Sequence, residues 1–558
     1  MAAPQTTNKY RQRWTELQNE RSTWMPHWQE ISEYLLPRSG RFFLEDRNKG
    51  QKKYNSILDS TGTDALDVLV SGSQSIMASP ARPWFRHTTG RPELDESANV
   101  KLWLSKVTRL MQMVFQKSNT YLAMSTMYEE LGAFGTSVSI VLPDFKNVIH
   151  HHVLTIGEFA IATDYKGNPD TLYREFQMTV AQIVDEFGIE QVSENTRNAH
   201  IAGRLGQWVT VLHAIEPRKD RDATKIDSKN MAWASVYFEL GDNSEKLLRE
   251  GGFKRFPCLI PRWIVRSGNV YGNSPAMSAL GDIKQLQHEQ LRKAQGIDYM
   301  TKPPLQAPSG MKNREIDTLP GGVSFVDQVG AGNGIRTAFD TRLDLNHLLA
   351  DIVDVRERIR ARFFANVFLM LSGNTDTRLT ATEAAMRNEE KMLLLGPVGG
   401  RMQSELHGPL IELTFDYMVD AGIVPPAPEE LQGAELSVEF VSVFAQAQRA
   451  VATNSVDRFL LNLGQVAQFK PEVLDKLDAD RWADEYADML GVNPELVVPG
   501  DKVEALRAAR AQQQAAQAQA EQAEQMASTA QKLGTVQTPT GNAGNDIMQA
   551  LTGYTTGV

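Results

Sequence analysis

The sequence predicts an α+β fold that is mostly helical. Two observations carry this. Long stretches on either side of the middle repeat apolar residues every three or four positions. A middle block, about residues 136–265, instead carries short runs of β-branched and aromatic residues between turn signals. With 558 residues the chain exceeds what a single core sustains, so several domains or sub-domains are expected.

Residues 8–36 read as a helix with Trp14, Leu17, Trp24, Trp28, Ile31 and Leu35 among its apolar positions, kinked or broken at Pro26. A second helix starts at Asp59 or Ser60, both N-cap types, runs through Leu66, Leu69, Val70 and Ile76, and stops before Pro80. Residues 97–135 are helical again. The strand candidates are TSVSIVL, FAIATDY, TLYREFQMT, QWVTVLHAIEP, WASVYFEL and CLIPRWIV, interrupted by the helix VAQIVDEF that ends at Gly188.

After Pro275 the chain turns helical. Residues 281–299 form one helix, stopped by Pro303-Pro304. Residues 301–341 are punctuated by Gly and Pro, with GGVSFVDQ as a short strand candidate. Leu345, Leu348, Leu349, Ile352, Val355, Ile359 and Phe363 then mark an amphipathic helix. Its stripe needs an apolar partner, either in its own chain or in a neighbouring copy. A polar loop, SGNTDTRLT, leads to a long helix over 381–421 with Gly396-Pro397 as a mid-helix kink. Shorter helices follow over 445–495. Residues 502–533 have high helix propensity but few large apolar residues, which suits bundling with other copies. The Gly/Thr/Asn-rich end, 534–558, is expected to be a disordered tail.

Composition narrows the function. The chain is 42% hydrophobic and 23% charged, the balance of a water-soluble globular protein. It has no apolar run of membrane-spanning length, and MAAPQTTNKYRQRW predicts no secretory signal. Its single cysteine, Cys258, rules out an intrachain disulfide or a cysteine metal cluster, and a reducing, cytoplasmic place of assembly fits. A net charge of −10 argues against a general DNA-binding domain, whose affinity rests on phosphate neutralisation.

Catalytic motifs are sparse. GxxxxGK[ST] is absent, and the cluster Gly330-Ala331-Gly332-Asn333-Gly334 lacks the lysine that phosphate binding needs, so it reads as a turn. His150-His151-His152 alternate across a strand, so at most two converge; a polar strand edge is the expectation. GxSxG and HExxH do not occur. No catalytic residue, cofactor or metal site is predicted.

Four stretches, in order, carry a resemblance. They are RQRWTELQNERSTWMPHWQEISEYLLP with YNSILDSTGTDALDVLVSGSQSIMASPARPWF, then GNPDTLYREFQMTVAQIVDEFG, then VYGNSPAMSALGDIKQLQHEQ, and finally ELSVEFVSVFAQAQRA. Over most of its length the chain resembles the podovirus-type phage head-to-tail connector, or portal, family. The extreme C-terminus lies outside the resemblance.

The resemblance implies a subunit of a dodecameric ring at one capsid vertex of the virion, assembled in the host cytoplasm. Double-stranded DNA would pass through its channel without sequence specificity, in packaging and in ejection. Implied partners are the terminase large subunit, tail adaptor proteins, capsid and scaffolding proteins, and internal core or ejection proteins, with no membrane. The implied portal fold has a wing at 1–280, stem helices at 281–299 and 342–366, and a clip at 301–341. A channel loop at 371–380, a wing spine helix and crown at 381–500, and a barrel helix at 502–533 complete it. The DNA-channel candidates are Lys284, Arg292 and Lys293 on the first stem helix, with Asn374, Thr375, Asp376 and Arg378 in the loop. On composition, the three stem cations also fit a solvated outer helix face. Met311, Lys312, Asn313 and Arg314 are the candidates for terminase or tail docking. The competing classes are another ring-forming tail adaptor or scaffold protein, and a packaging enzyme (ATPase or nuclease), which the missing motifs disfavour.

Overall fold

The computed structural model describes residues 6–43, 56–95, 97–222, 224–225, 227–241, 246–306, 312, 336–337, 345–371, 395–431, 436–441, 459–490, 497–498, 500–534, 537–538 and 541–542. The chain divides into two compact units, Met1–Leu94 with Trp103–Ala452, and Asp95–Leu102 with Thr453–Val558.

In the first unit, the predicted N-terminal helix is two: α1 (Thr6–Arg21) and α2 (Met25–Tyr34). Pro26 sits in the first turn of α2, where its missing N–H has no helical partner to lose, so the chain breaks rather than kinks. Helix α3 (Thr61–Met77) ends before Pro80 as expected; after the single turn α4 (Pro92–Asp95), the 97–135 stretch splits into α5 (Ala98–Lys117) and α6 (Thr120–Phe134).

The middle block forms two antiparallel sheets. One has the order β3-β2-β9, from β2 (Val138–Asp144), β3 (Val148–Leu154) and β9 (Cys258–Leu259). The other is a five-stranded meander, β4 (Phe159–Thr163), β5 (Pro169–Thr179), β6 (Trp208–Pro217), β7 (Trp233–Glu239) and β8 (Arg249–Phe253). On one face of the meander, Tyr10, Trp14 and Leu17 of α1 pack with Tyr173, Leu212, Val236 and Phe238. A second cluster joins Ile183, Val192, Val211, Tyr237 and Leu248.

Helix α7 (Val180–Phe187) starts with a reciprocal cap, in which Thr179 Oγ1 accepts from the Gln182 amide and Gln182 Oε1 accepts from the Thr179 amide. It ends at Gly188, whose φ of +84° suits a residue without Cβ. Helix α8 (Glu194–Ile201) follows. Two pairings escape the sequence pattern: β8, whose REGGF has no apolar alternation, and β1 (Phe85–Thr88) with the distant β12 (Ser437–Phe440).

Helices α9 (Pro275–Thr301) and α10 (Leu345–Arg362) follow, with α11 (Ala365–Leu371) after them. Gly72 of α3 is the seat of Phe368 of α11: a Cβ there would lie 2.2 Å from the ring. Gly396-Pro397 is not a mid-helix kink within the described residues. Gly396 opens α12 (Gly396–Met402) with Pro397 in its first turn. The departure from α geometry falls later, in the π turn Gln403–His407 that leads into α13 (Gly408–Asp420). The stretches at 381–394 and 442–458, with GGVSFVDQ and the 330–334 glycines, lie outside the described residues.

The second unit holds a 3-10 turn (Pro471–Lys476), α14 (Ala479–Leu490) and α15 (Gly500–Gly534). Asp480 accepts from both terminal nitrogens of Arg507 at 2.5 and 2.7 Å, and Trp482 stacks on Tyr486. Of the 535–558 stretch, only β13 (Gln537–Thr538) and β14 (Gly541–Asn542), paired antiparallel, are described. No helix among the described residues is long and apolar enough to cross a membrane.

Candidate functional site

The candidate site is the pair α9–α10 with the chain that anchors it. Ser274 caps α9: its Oγ accepts from the Met277 amide at 2.9 Å and donates to the Ala133 carbonyl at 2.8 Å, with Pro275 at the first helical position. The 27 residues of α9 span about 40 Å. Its first half is buried through Ile283 and Leu286, whereas Leu291, Ile297, Tyr299 and Met300 beyond are 40–50% exposed. Just past α9, β10 (Leu305–Gln306) pairs antiparallel with β11 (Arg336–Thr337), so both ends of the intervening insertion meet at one clasp.

Helix α10 packs back along α9. Arg358 reaches Asp282 at 3.4 Å and Glu289 faces Asp351, so partners descend in number on one helix as they rise on the other. The predicted stripe divides. Ile352, Val355, Ile359 and Phe363 are buried in the core of their own chain and Leu348 is half-buried against it, while Leu349 is 40% exposed; Val353, outside the stripe, is 56% exposed.

A polar knot ties both helices to the start of α3. Gln287 Oε1 accepts from the Leu58 and Asp59 amides at 2.6 and 2.8 Å, and its Nε2 donates to the Asp59 carbonyl at 3.0 Å. The Asp59 carboxylate accepts from Thr61, from Gln290 at 2.8 Å and from two nitrogens of Arg356 at 3.1 and 2.7 Å. Burial is the largest single influence on Asp59 and pushes its pKa up, but the Thr61 and Arg356 donors together outweigh it and hold the carboxyl below its ordinary range. Ser60 holds the N-cap place of α3 without a side-chain cap bond, and the Asp59 carboxylate accepts the Thr61 amide at 3.0 Å while it also serves the helix pair. Glu289 goes the other way: burial and then the Asp351 charge raise its pKa, against a hydrogen bond from Gln285 at 2.6 Å.

The predicted cations separate. Lys284 pairs with Glu30 and lies over the Tyr34 ring of α2, so its charge is matched within its own chain. Arg292 is exposed, donating to His288 at 3.4 Å and Gln295 at 3.1 Å, and Lys293 is half-buried. Lys312 is an exposed turn residue; Met311, Asn313, Arg314, Asn374, Thr375, Asp376 and Arg378 lie outside the described residues.

The three histidines alternate as the strand requires, on an edge strand. His150 is exposed, while His151 is buried between Thr120 and Ser139, with its pKa lowered to about 4 by burial. No group of three or more metal-ligating side chains occurs among the described residues.

The chain belongs to the family described as bacteriophage head to tail connecting protein, whose model matches residues 7–498. It is a portal subunit of the phage head-to-tail connector. The chain is 61% identical over 543 residues to the probable portal protein of Bordetella phage BPP-1, covering 97% of this chain and 98% of that one. To the portal protein of Salmonella phage epsilon15 it is 42% identical over 525 residues, covering 94% of each. Among solved structures it aligns with the neck of an empty gene transfer agent particle computed with C6 symmetry, at 11% identity and a TM-score of 0.33, over 73% of this chain and 86% of that one. Portal proteins are structural, ring-forming components of the virion.

Proposed function

We propose that twelve copies of this chain close a ring at one capsid vertex, and that double-stranded DNA passes through its bore during packaging and ejection. The observation that carries the reading is the projection itself. Its base is fixed by the Asp59 knot, while Leu291, Tyr299, Leu349 and Val353 remain uncovered in the single chain, where a neighbouring copy would bury them. In this reading α9 and α10 are the stem, residues 301–341 the clip, 371–380 the channel loop, 1–280 the wing, 381–500 spine and crown, and α15 a barrel helix. The clip tip around residues 311–314 receives the terminase large subunit and later the tail adaptors, at a vertex shared with capsid, scaffolding and internal core proteins.

A weakly adhesive bore agrees with the net charge of −10 and with Lys284 already being paired. The test is packaging in vitro with purified terminase and proheads carrying this subunit. The reading expects DNA uptake that tolerates Arg292→Gln with Lys293→Gln to within a fewfold, and uptake in proheads lacking the subunit would contradict it.

A further inference from the structure

We propose that the exposed face of α5 bearing Lys106, Arg109 and Lys117 is a second contact surface for duplex DNA, separate from any bore lined by α9 and α10. The proposal rests on the reading above, since that reading is what brings DNA to the protein.

Helix α5 departs from the rest of the chain in charge. No Asp or Glu occurs from Ser97 to Tyr128, although acids outnumber bases 68 to 58 overall. Several exposed cations elsewhere in the first unit have acidic partners: Lys254 with Asp420, Arg255 with Glu412 and Asp416, Arg249 with Glu186. Lys106, Arg109 and Lys117 are exposed, and none has an ion pair or hydrogen bond among the described residues. Lys106 and Lys117, eleven residues apart, are nearly eclipsed at 3.6 residues per turn and about 16 Å apart along the axis, with Arg109 one turn from Lys106.

The opposite face holds the helix rigidly. Met111, Val114 and Phe115 enter the main core, Trp103 donates to the Pro425 carbonyl at 3.0 Å, and Thr108 Oγ1 lies 2.9 Å from His87 Nδ1. A fixed row of unmatched cations suits a ladder of phosphates. Acidic groups more than a Debye length away, about 8 Å at physiological salt, are screened from it. A protein partner of similar charge would want an apolar centre to its footprint. From Trp103 to Lys117 this face offers one large exposed apolar side chain, Met113. No side chain here is arranged to read bases, so the contact is independent of sequence.

The test uses preassembled rings of the full-length protein and covalently closed circular duplex DNA, which has no end to thread through a bore. Lys106→Gln, Arg109→Gln and Lys117→Gln are combined; Arg292→Gln with Lys293→Gln serves as the stem control. The proposal expects rings to bind the circle, and expects the triple variant to flatten the plot of log affinity against log salt by about 0.9 for each phosphate no longer neutralised, roughly 2–3 in all. The stem control should leave binding to the circle unchanged. An unchanged slope in the triple variant overturns the proposal, as does wild-type protein that ignores the circle. Loss of ring assembly in the triple variant also overturns it, by showing the face to be a contact between copies. In each case, normal packaging of linear DNA leaves the conduit reading standing, and only failed packaging sinks that reading.

Discussion

Arg262 and Glu405 form a two-pronged ion pair that binds the chain after β9 to the π turn. Arg262 Nη2 donates to Glu405 Oε1 at 2.7 Å, its Nε donates to Oε2 at 3.3 Å, and its backbone amide donates to the same Oε2 at 2.9 Å. The Arg262 side chain is 2% exposed and also donates to the Gly167 and Val270 carbonyls. Glu405→Gln removes the counter-charge and leaves a buried guanidinium. The expected cost is about 3 kcal/mol, seen as a lowered midpoint in urea denaturation. Replacing both partners with Met and Leu should cost less than the sum of the single changes.

Asp59 is the joint between α3 and the projecting helices, so Asp59→Asn should loosen the projection more than the body. Because its folded pKa lies below the unfolded value of about 3.9, its contribution is present above that pH and is lost as pH falls through the folded value. The stability difference between wild type and variant should therefore shrink below about pH 4. Hydrogen exchange in α9 and α10, followed against pH, checks both parts.

Four buried histidines predict sensitivity to mild acid. Burial is the leading cause of lowered pKa at His87 and His151, each to about 4, at His213, and at His407, to about 3, where Tyr128 lies 2.9 Å from the ring. Neutral rings in the folded state contribute stability that is fully present above the unfolded value of about 6.5 and is lost as pH falls toward the folded values. Stability should fall steeply between about pH 6.5 and 4, with proton uptake on unfolding measurable by calorimetry in buffers of different ionisation enthalpy.

The exposed apolar residues of α10, Leu349 and Val353, should serve assembly rather than folding. Leu349→Glu with Val353→Glu alters exposed positions, so unfolding of the single chain should shift by no more than about 0.5 kcal/mol per site. Sedimentation should show the variant failing to form large oligomers. Assembly at the wild-type concentration would remove this surface from the interface.

The helices of this fold were legible because their apolar residues repeat at helical spacing, as along Ile352, Val355, Ile359 and Phe363, and the meander because β5, β6 and β7 alternate or run apolar between turns. Periodicity could not say which part of the α10 stripe its own chain covers. Leu348 is half-buried against the core while its neighbour Leu349 is exposed, a division that only the packing of the folded chain sets. The Asp59 knot was out of reach for another reason. Its partners Gln287, Gln290 and Arg356 lie 228 to 297 residues away, and no local pattern announces such a meeting. The sequence placed the start of α3 at Asp59 or Ser60, and Ser60 is the N-cap; the long-range partners of Asp59 had no local sign. Lys284 shows the same limit, since only the folded chain brings Glu30 beside it.

The central claim is that a single chain leaves apolar surface on α9 and α10 that only neighbouring copies cover. Electron microscopy of the purified full-length protein tests it most directly: class averages should show twelve-fold rings with an open axial hole and α9–α10 turned toward the axis. Compact particles with no axial opening would contradict it.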